Sequence, residues 1–201
     1  LPLGDVMSAL ENGGELPDDT AAITFDDGYR NNLTLAAPLL KEYGFPATFF
    51  VSTGFADGTA SPWWYRLREA VSNTTCESIR MPDGRVALMD GREGRLSAAV
   101  EWERHLRGLP RCERTECLKK VYETCRCGEG ENVAYPLMTR DEVRRLSDMG
   151  FEIGPHTVSH ISMSHENKDL IEKEIEASLS VVAEITGKSP TCYSYPHGAL
   201  P

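Results

Sequence analysis

Two short apolar segments separated by an amphipathic one constrain the fold of this chain most strongly. Residues 21–25 and 47–51 each predict a strand buried on both faces, and residues 31–43 predict a helix that ends at Gly44. A strand, a helix and a second strand at this spacing form a βαβ unit, whose two strands are parallel. The sequence therefore predicts an α/β fold in which helices cover a parallel sheet.

The α/β pattern returns towards the C-terminus. Thr139 is a typical N-cap and predicts a helix that continues to Met149. A short helix is also predicted near the N-terminus, over residues 5–12. Three further elements are expected, namely a strand over residues 151–153, a long helix over 167–186 and a last strand over 192–195. These elements would extend the sheet and its outer layer of helices.

Residues 58–136 differ in character from the segments on either side and predict an insertion. Its expected elements are a helix marked by Trp63, Trp64, Leu67 and Val71, a hairpin of residues 77–81 and 85–89, and two charged amphipathic helices over 96–106 and 113–124. The turn of the hairpin is Pro82-Asp83-Gly84. The chain is therefore expected to be one domain over residues 1–201 that contains this insertion.

Composition narrows the class of partner. The 201 residues are enough for one domain with a sizeable core, and the formal net charge is −10. Such a charge repels phosphates and anionic lipid, so we expect no nucleic acid partner. We also expect no transmembrane segment, because no stretch approaches the roughly 18 apolar residues that one requires. Residues 1–15 do not resemble a signal peptide.

Polar clusters follow three of the predicted strands. Asp26 and Asp27 follow the first strand, His156 and His160 follow the strand over 151–153, and His197 follows the last strand. The carboxyl ends of parallel strands are where ligands bind in α/β proteins. Two histidines and one carboxylate leave an open position for water, which is typical of a catalytic zinc site. A second, adjacent carboxylate could then accept a proton from that water.

Each cluster also has a simpler interpretation. Asp26-Asp27-Gly28 is ordinary turn chemistry, and His156 and His160 could be surface residues in a Ser/Thr-rich loop. The three clusters together, each at a predicted strand end, favour a functional site over three unrelated loops.

The segment from Thr24 to Gly28, followed by the segment from His156 to His160, resembles the first two motifs of the polysaccharide deacetylase family. This family is also called carbohydrate esterase family 4 or the NodB-homology domain. The flanking residues 44–55 and 149–160 resemble family segments as well. The resemblance implies an irregular (β/α) barrel and a hydrolase that removes acetyl groups from N-acetylated or O-acetylated polysaccharides or oligosaccharides. It also favours a location in the cell envelope or outside the cytoplasm.

The resemblance assigns roles to individual residues. It implies that Asp26 is the catalytic base and that Asp27, His156 and His160 hold a divalent metal. The metal of the family is usually zinc, and cobalt or nickel occurs in some members. It further implies that the backbone N–H of His197 helps to stabilise the oxyanion of the reaction.

Two departures from the family pattern affect these roles. The third motif commonly has an Arg that braces the catalytic Asp, and Ser194 stands at that position here. The chain also ends at Pro201, before two later motifs, one of which supplies a His that acts as the general acid. The barrel is therefore expected to be incomplete at its C-terminus. His165 and His197 are the remaining candidates for the acid.

These departures keep two other functions open. The chain could be a catalytically impaired carbohydrate-binding module that retains the metal. It could also be a related metal-dependent amide hydrolase that acts on a substrate other than a sugar.

Three further features have a functional and a structural interpretation. Cys112, Cys117, Cys125 and Cys127 could form a structural zinc site, but their spacing favours disulfides or free thiols. Trp63, Trp64 and Tyr65 could form a platform for a sugar, but we prefer to interpret them as anchors of the inserted helices. His105 is expected to be a surface residue.

Overall fold

The computed structural model describes residues 1–126 and 137–198, which form two compact units. The first unit contains residues 1–61, 137–163 and 167–198, and the second contains 62–126 and 164–166. In chain order, the helices and strands of the described residues are α1 (Leu3–Glu11), β1 (Thr24–Phe25), α2 (Ala37–Tyr43), β2 (Thr48–Val51), α3 (Thr53–Ala56), α4 (Trp63–Asn73), β3 (Ser78–Arg80), β4 (Val86–Leu88), α5 (Gly91–Arg107), α6 (Arg111–Cys125), α7 (Arg140–Asp148), β5 (Glu152–Pro155) and α8 (Lys168–Thr186). Within the described ranges, none of the helices combines the length and the apolar character that crossing a membrane requires.

A three-stranded parallel sheet lies at the centre of the first unit. Its order is β1-β2-β5, with Phe49 of β2 opposite Phe25 on one side and Ile153 on the other. Every residue of the central strand β2 is buried. The parallel sheet predicted from the strand-helix-strand pattern is therefore confirmed.

The hydrophobic core of the first unit surrounds Phe49, whose side chain is 1% exposed. The Phe49 ring stacks on Phe25, with 4.9 Å between ring centroids, and meets the edge of Phe151 at 5.3 Å. The other buried members of this core are Ala37, Ala47, Val51, Met138, Val143, Leu146, Ile153, Val182 and Ile185. Helices α2, α7 and α8 thus contribute to the same core as the sheet. Aromatic residues of this size each contribute about 1.5–3 kcal/mol when they are fully buried.

The helix ends follow the capping residues of the sequence. Thr139 forms a capping box with Glu142, in which the hydroxyl of Thr139 accepts from the Glu142 N–H and the Glu142 carboxylate accepts from the Thr139 N–H. Asn167 caps α8 by accepting a hydrogen bond from the Leu170 N–H at 3.0 Å. Gly44 ends α2 in the left-handed conformation. The predicted ends of these helices are confirmed to within a few residues.

The prediction for residues 21–25 was partly wrong. Only Thr24 and Phe25 form a strand, and Thr24 is exposed rather than buried. Strand β1 pairs with β2 along one edge, and no other described strand pairs with its second edge. A strand with one neighbour is short and exposed because half of its backbone groups have no ladder partner.

The helix predicted over residues 31–43 is interrupted. Residues Asn32–Ala36 form a π-helical turn, and the α-helical part begins only at Ala37. Pro38 has no N–H to donate to the carbonyl four residues earlier, so a regular α-helix cannot run through this position. The wider turn alters which side chains face the core, and Leu35 and Leu39 are exposed.

The prediction of a strand over residues 192–195 was wrong. This segment lies beside β5, where the Ser194 N–H donates to the Pro155 carbonyl at 3.3 Å, but it has no regular strand structure. Pro155 has no N–H with which to return a hydrogen bond. The ladder therefore cannot continue at the position where the last strand would pair.

The second unit contains α4, α5, α6 and an antiparallel hairpin of β3 and β4, as predicted. Helices α4 and α5 are joined by a buried carboxylate, because Glu103 on α5 binds Arg68 of α4 at 2.6 Å. Glu103 also binds Arg107 of its own helix at 2.5 Å. The unit begins near the predicted start of the insertion. Residues 127–136 of the predicted insertion lie outside the described residues, so its full extent stays a prediction.

The aromatic residues of α4 do not form an open platform. Trp63 and Trp64 are 8% and 9% exposed, and their rings meet edge to face at 5.6 Å. The Arg114 guanidinium lies over the Trp63 ring at 5.3 Å. Tyr65 is 38% exposed. The sugar-platform interpretation is therefore wrong for both tryptophans, which pack into the protein.

The described cysteines form neither a disulfide nor a group of metal ligands. Cys112 is exposed, Cys117 is half-buried and Cys125 is buried at the end of α6. Cys127, the fourth member of the predicted cluster, lies outside the described residues. His105 is exposed on α5, as predicted.

Candidate metal centre

The site lies where the carboxyl ends of the parallel strands meet in the first unit. Asp26 and Asp27 follow β1, and His156 follows β5. The central strand β2 fixes the backbone of His156, because the His156 N–H donates to the Val51 carbonyl at 2.9 Å. The Ser52 hydroxyl donates to the His156 carbonyl, also at 2.9 Å. The parallel order β1-β2-β5 therefore brings the residues that follow β1 and β5 to one edge of the sheet.

A tight turn aims the Asp27 side chain. Asp27 and Gly28 both have positive φ, at 72° and 84°. A Cβ atom at Gly28 would lie 2.5 Å from Cγ1 of Val51, so no larger residue fits beside β2. Asp26-Asp27-Gly28 is therefore a turn, in agreement with the simpler interpretation of these residues. The turn also places the Asp27 carboxylate in the site.

Three potential ligand atoms converge. Oδ1 of Asp27 lies 3.5 Å from Nε2 of His156 and 3.0 Å from Nε2 of His160. The ligand atoms of the three residues all lie within 4.8 Å of one another. Two ligands of a tetrahedral zinc ion, each about 2.0–2.1 Å from the metal, are about 3.3 Å apart. The residues therefore fit a divalent metal with one carboxylate and two imidazoles.

His156 is oriented for this role. Its Nδ1 lies 2.9 Å from the Ser194 carbonyl, which fixes the proton on Nδ1 and leaves Nε2 facing Asp27. Burial, and then the charge of His160, lower the pKa of His156 to about 4, although Asp27 and the Ser194 carbonyl act in the opposite direction. His156 is therefore neutral at physiological pH, which is the form that binds metal.

Asp27 is held in its charged form. Burial raises its pKa, but the hydrogen bond to His160 and the charge of His160 outweigh burial and lower the pKa overall. A hydrogen bond from the Tyr29 side chain acts in the same direction. A carboxylate that stays ionised can serve as a metal ligand without first losing a proton.

Asp26 has a different environment from its neighbour. Burial, and next the negative charge of Asp27, raise the pKa of Asp26. A hydrogen bond from the Ser194 side chain and the charge of His160 offset part of this increase. Ser194 therefore supplies a neutral donor at the position where the family motif commonly has an Arg.

The two candidates for the general acid, His165 and His197, have different surroundings. The His197 ring meets the His160 ring edge to face, with 4.6 Å between centroids, and His197 has a positive φ of 62°. His165 is exposed, and its Nδ1 lies 3.0 Å from the Ser164 hydroxyl. The structure therefore places His197 against the potential metal ligands, whereas His165 belongs to the second unit.

Two residues that contact the site were not predicted. Tyr29 follows the Asp-Asp-Gly turn directly, and this adjacency could have identified it. Glu174 lies on α8, in line with the buried residues Ser178 and Val182 at four-residue intervals. A glutamate on the buried face of an amphipathic helix is the signal that could have identified Glu174.

Comparison with known families identifies the chain. The model of the family described as polysaccharide deacetylase matches residues 13–84 and 117–201. The chain belongs to the polysaccharide deacetylase family. Residues 85–116, which include β4, all of α5 and the start of α6, lie outside the regions of this family member that the family model matches. A comparison with curated protein sequences gives no significant match.

Three solved structures share the fold. The deacetylase PplD of Streptococcus pyogenes, solved with acetate, is 17% identical and superposes with a TM-score of 0.58 over 100% of this chain and 56% of its own. IcaB from Ammonifex degensii is 14% identical, with a TM-score of 0.55 over 100% of this chain and 60% of its own. The deacetylase domain of BpsB from Bordetella bronchiseptica is 16% identical, with a TM-score of 0.53 over 100% of this chain and 64% of its own.

These likenesses confirm the predicted fold class, the (β/α) barrel of the NodB-homology type. The chain spans 56% to 64% of the length of the three structures. The described residues supply three parallel strands of this fold, with helices α2, α7 and α8 packed on them.

Proposed function

We propose that this protein is a metal-dependent hydrolase that removes acetyl groups from an N-acetylated or O-acetylated polysaccharide or oligosaccharide. One observation carries the proposal: Asp27, His156 and His160 converge beside Asp26 in a chain of the polysaccharide deacetylase family. Zn²⁺ suits the two imidazoles and one carboxylate, and Co²⁺ or Ni²⁺ are alternatives. The acetate in the S. pyogenes deacetylase is the product that such a reaction would release.

Each residue has a separate role in the proposed reaction. Asp27, His156 and His160 would hold the ion, which supplies polarisation of the acetyl carbonyl and a more acidic water. Asp26 accepts the proton of the attacking water from its position next to Asp27. The His197 backbone N–H donates to the carbonyl oxygen as that oxygen becomes negative, a role that rests on the resemblance to the third family motif. Cleavage of the C–N or C–O bond releases acetate, and the leaving nitrogen or oxygen takes up one proton, which balances the proton that Asp26 removes from water.

A second candidate is a binding module that holds metal and glycan without turnover. The observation in its favour is Ser194, which gives Asp26 a neutral hydrogen bond instead of an Arg charge. A neutral donor stabilises the Asp26 carboxylate less than a cation does, because hydrogen bonds between ionised partners are the stronger ones. The family resemblance also supports a cell-envelope or extracytoplasmic location, which we propose for either function.

Acetate release and bound metal together test the proposal. The protein should bind Zn²⁺ or Co²⁺ and release acetate from N-acetylated chitooligosaccharides or peptidoglycan. In Asp26→Asn, we expect acetate release to fall about 100-fold or more with metal binding retained, because a positioned base contributes about 10²–10⁴ in rate. Asp18→Asn, a change at an exposed aspartate of the same unit, is the matched control and should leave both unchanged.

Two results would redirect the assignment. If the protein binds metal but releases acetate no faster than Asp26→Asn does, the enzyme is excluded and the binding module is favoured. Activity on small acetamides without activity on glycans would favour an amide hydrolase that acts on a substrate other than a sugar.

A further inference from the structure

A buried carboxylate outside the candidate ligand set binds the loop that carries both histidines. Glu174, on α8, is 5% exposed. Its Oε2 accepts hydrogen bonds from the N–H groups of Val158 and Ser159, at 2.8 and 2.9 Å. Its Oε1 accepts from the Ser159 hydroxyl at 2.6 Å. All three donors lie between His156 and His160, so Glu174 contacts the loop at its middle.

The loop needs external support because its backbone is neither helix nor strand. Thr157 and His160 have positive φ, at 61° and 52°, a region that L-residues adopt at a cost. Two of its carbonyls face α3, since the N–H groups of Thr53 and Gly54 donate to Thr157 and Val158 at 3.1 and 2.8 Å. Glu174 binds the amides of the same loop. The loop is thus fixed through its carbonyls on one side and through its amides on the other.

Removal of Glu174 would leave polar groups of the loop without their acceptor. Val158 and Ser159 are partly buried, and hydrogen bonds to an ionised acceptor are stronger than those between neutral groups. A rotated peptide in this segment would satisfy the lost donors elsewhere. Because His160 follows Ser159 directly, such a rotation would displace its imidazole from Asp27.

We propose that Glu174 is a positioning residue for the metal centre, which it supports by fixing the 156–160 loop in the conformation that directs both imidazoles towards Asp27. The inference rests on the proposed function, because it assumes that Asp27, His156 and His160 hold a divalent ion. Residues that hydrogen-bond to metal ligands and orient them contribute about 10–100-fold to metal affinity. Glu174 would act indirectly, by binding the backbone of the loop that carries the two histidine ligands.

The test is the affinity of the metal-free protein for Co²⁺, followed by the visible absorption of the bound ion. We expect Glu174→Ala to weaken Co²⁺ binding by about 10-fold or more and to alter the absorption spectrum. Glu174→Gln should restore most of the affinity, because its amide oxygen still accepts from the two N–H groups and its NH₂ can donate to the Ser159 hydroxyl. Ser159→Ala removes only the hydroxyl bond and should weaken binding by a few-fold.

Glu152 provides a matched control in the same unit. Its carboxylate also accepts from one backbone N–H and two hydroxyls, those of Gly4, Thr48 and Thr191, but at the opposite end of β5 from His156. Glu152→Ala should therefore lower the melting temperature of the metal-free protein and leave the Co²⁺ affinity unchanged.

The possible failures are distinguishable. If the unaltered protein binds no Co²⁺, the proposed metal centre and this inference both fail. If it binds Co²⁺ and Glu174→Ala binds equally well, only the role of Glu174 is excluded. If Glu152→Ala weakens binding as much as Glu174→Ala does, the effect is one of general stability and the inference also fails. Should Glu174→Ala not fold, Ser159→Ala decides: weaker Co²⁺ binding supports the role of Glu174, and unchanged binding excludes it.

Discussion

Ser194 contacts both the candidate metal ligand His156 and the candidate base Asp26. Its carbonyl oxygen binds Nδ1 of His156, and its hydroxyl binds the Asp26 carboxylate. The first contact involves only the backbone of Ser194 and survives any substitution at that position. The second depends on the side chain and favours the ionised form of Asp26. A change at Ser194 can therefore alter the proposed base, Asp26, without altering the orientation of the proposed metal ligand, His156.

The pH dependence of acetate release should report this contact. A base is active when it is deprotonated, so the rate falls as the pH decreases through the pKa of Asp26. In Ser194→Ala, the loss of the hydroxyl donor raises that pKa further, and the acid limb of kcat/KM should move to higher pH.

Ser194→Thr keeps a hydroxyl and should retain the original profile. An acid limb that is the same in Ser194→Ala and in the unaltered protein would show that Ser194 does not influence the base.

At the scale of elements, the sequence strongly specifies where α7 begins. The capping box of Thr139 and Glu142 satisfies two backbone donors at its N-terminus. Behind it, Val143 and Leu146 are fully buried in the core around Phe49. The position of α7 against β5 therefore depends on both its cap and its apolar face.

Thr139→Ala should lower the free energy of unfolding of the metal-free protein by about 1 kcal/mol, the usual contribution of an N-cap hydroxyl. Urea denaturation followed by circular dichroism measures it. The control is Thr34→Ala, whose exposed hydroxyl bonds back to Arg30 within its own helical segment and should change stability by less than about 0.5 kcal/mol. Equal losses in the two variants would contradict a specific role for the cap.

Much of the fold could be predicted because its signals are local. The βαβ pattern, the cap at Thr139 and the stop at Gly44 each depend on neighbours within a few residues. The segment over 192–195 was predicted wrongly because its pairing depends on Pro155, which is distant in sequence and provides no N–H donor. The interrupted helix after Asn31 depends on how Pro38 is accommodated, which apolar spacing does not report.

The candidate site likewise combines residues that the sequence predicts with contacts that it does not predict. Asp27, His156 and His160 could be predicted because strand ends and motif spacing agree. The contacts of Ser194 with Asp26 and of Glu174 with Ser159 could not, because each joins residues that only the folded chain brings together. Supporting contacts of this kind have no fixed spacing in sequence.

At the scale of the whole molecule, the dominant property is its charge. The chain carries a formal net charge of −10. Long-range repulsion between like charges reduces the rate of encounter, and salt screens it as the Debye length falls from about 30 Å at 0.01 M to about 10 Å at 0.1 M. A neutral substrate experiences neither effect.

Activity on an anionic acetylated glycan should therefore increase with ionic strength. Between about 0.01 and 0.1 M salt, we expect kcat/KM for a glycan that contains uronic acids to rise several-fold, with that for a neutral chitooligosaccharide unchanged. Initial rates of acetate release measure both. A decrease for the anionic glycan would show that local positive charge near the site outweighs the net charge.

The positive φ angles have a consequence for how this chain can change over evolutionary time. Among the described residues, six that are not glycine have positive φ, and four of them, Asp27, Thr157, His160 and His197, lie in or beside the candidate metal centre. Each costs the backbone about 1–2 kcal/mol relative to glycine. A lineage released from selection for the proposed hydrolysis would therefore lower its backbone strain by replacing the motif residues, so loss of the motif and gain of stability would occur together.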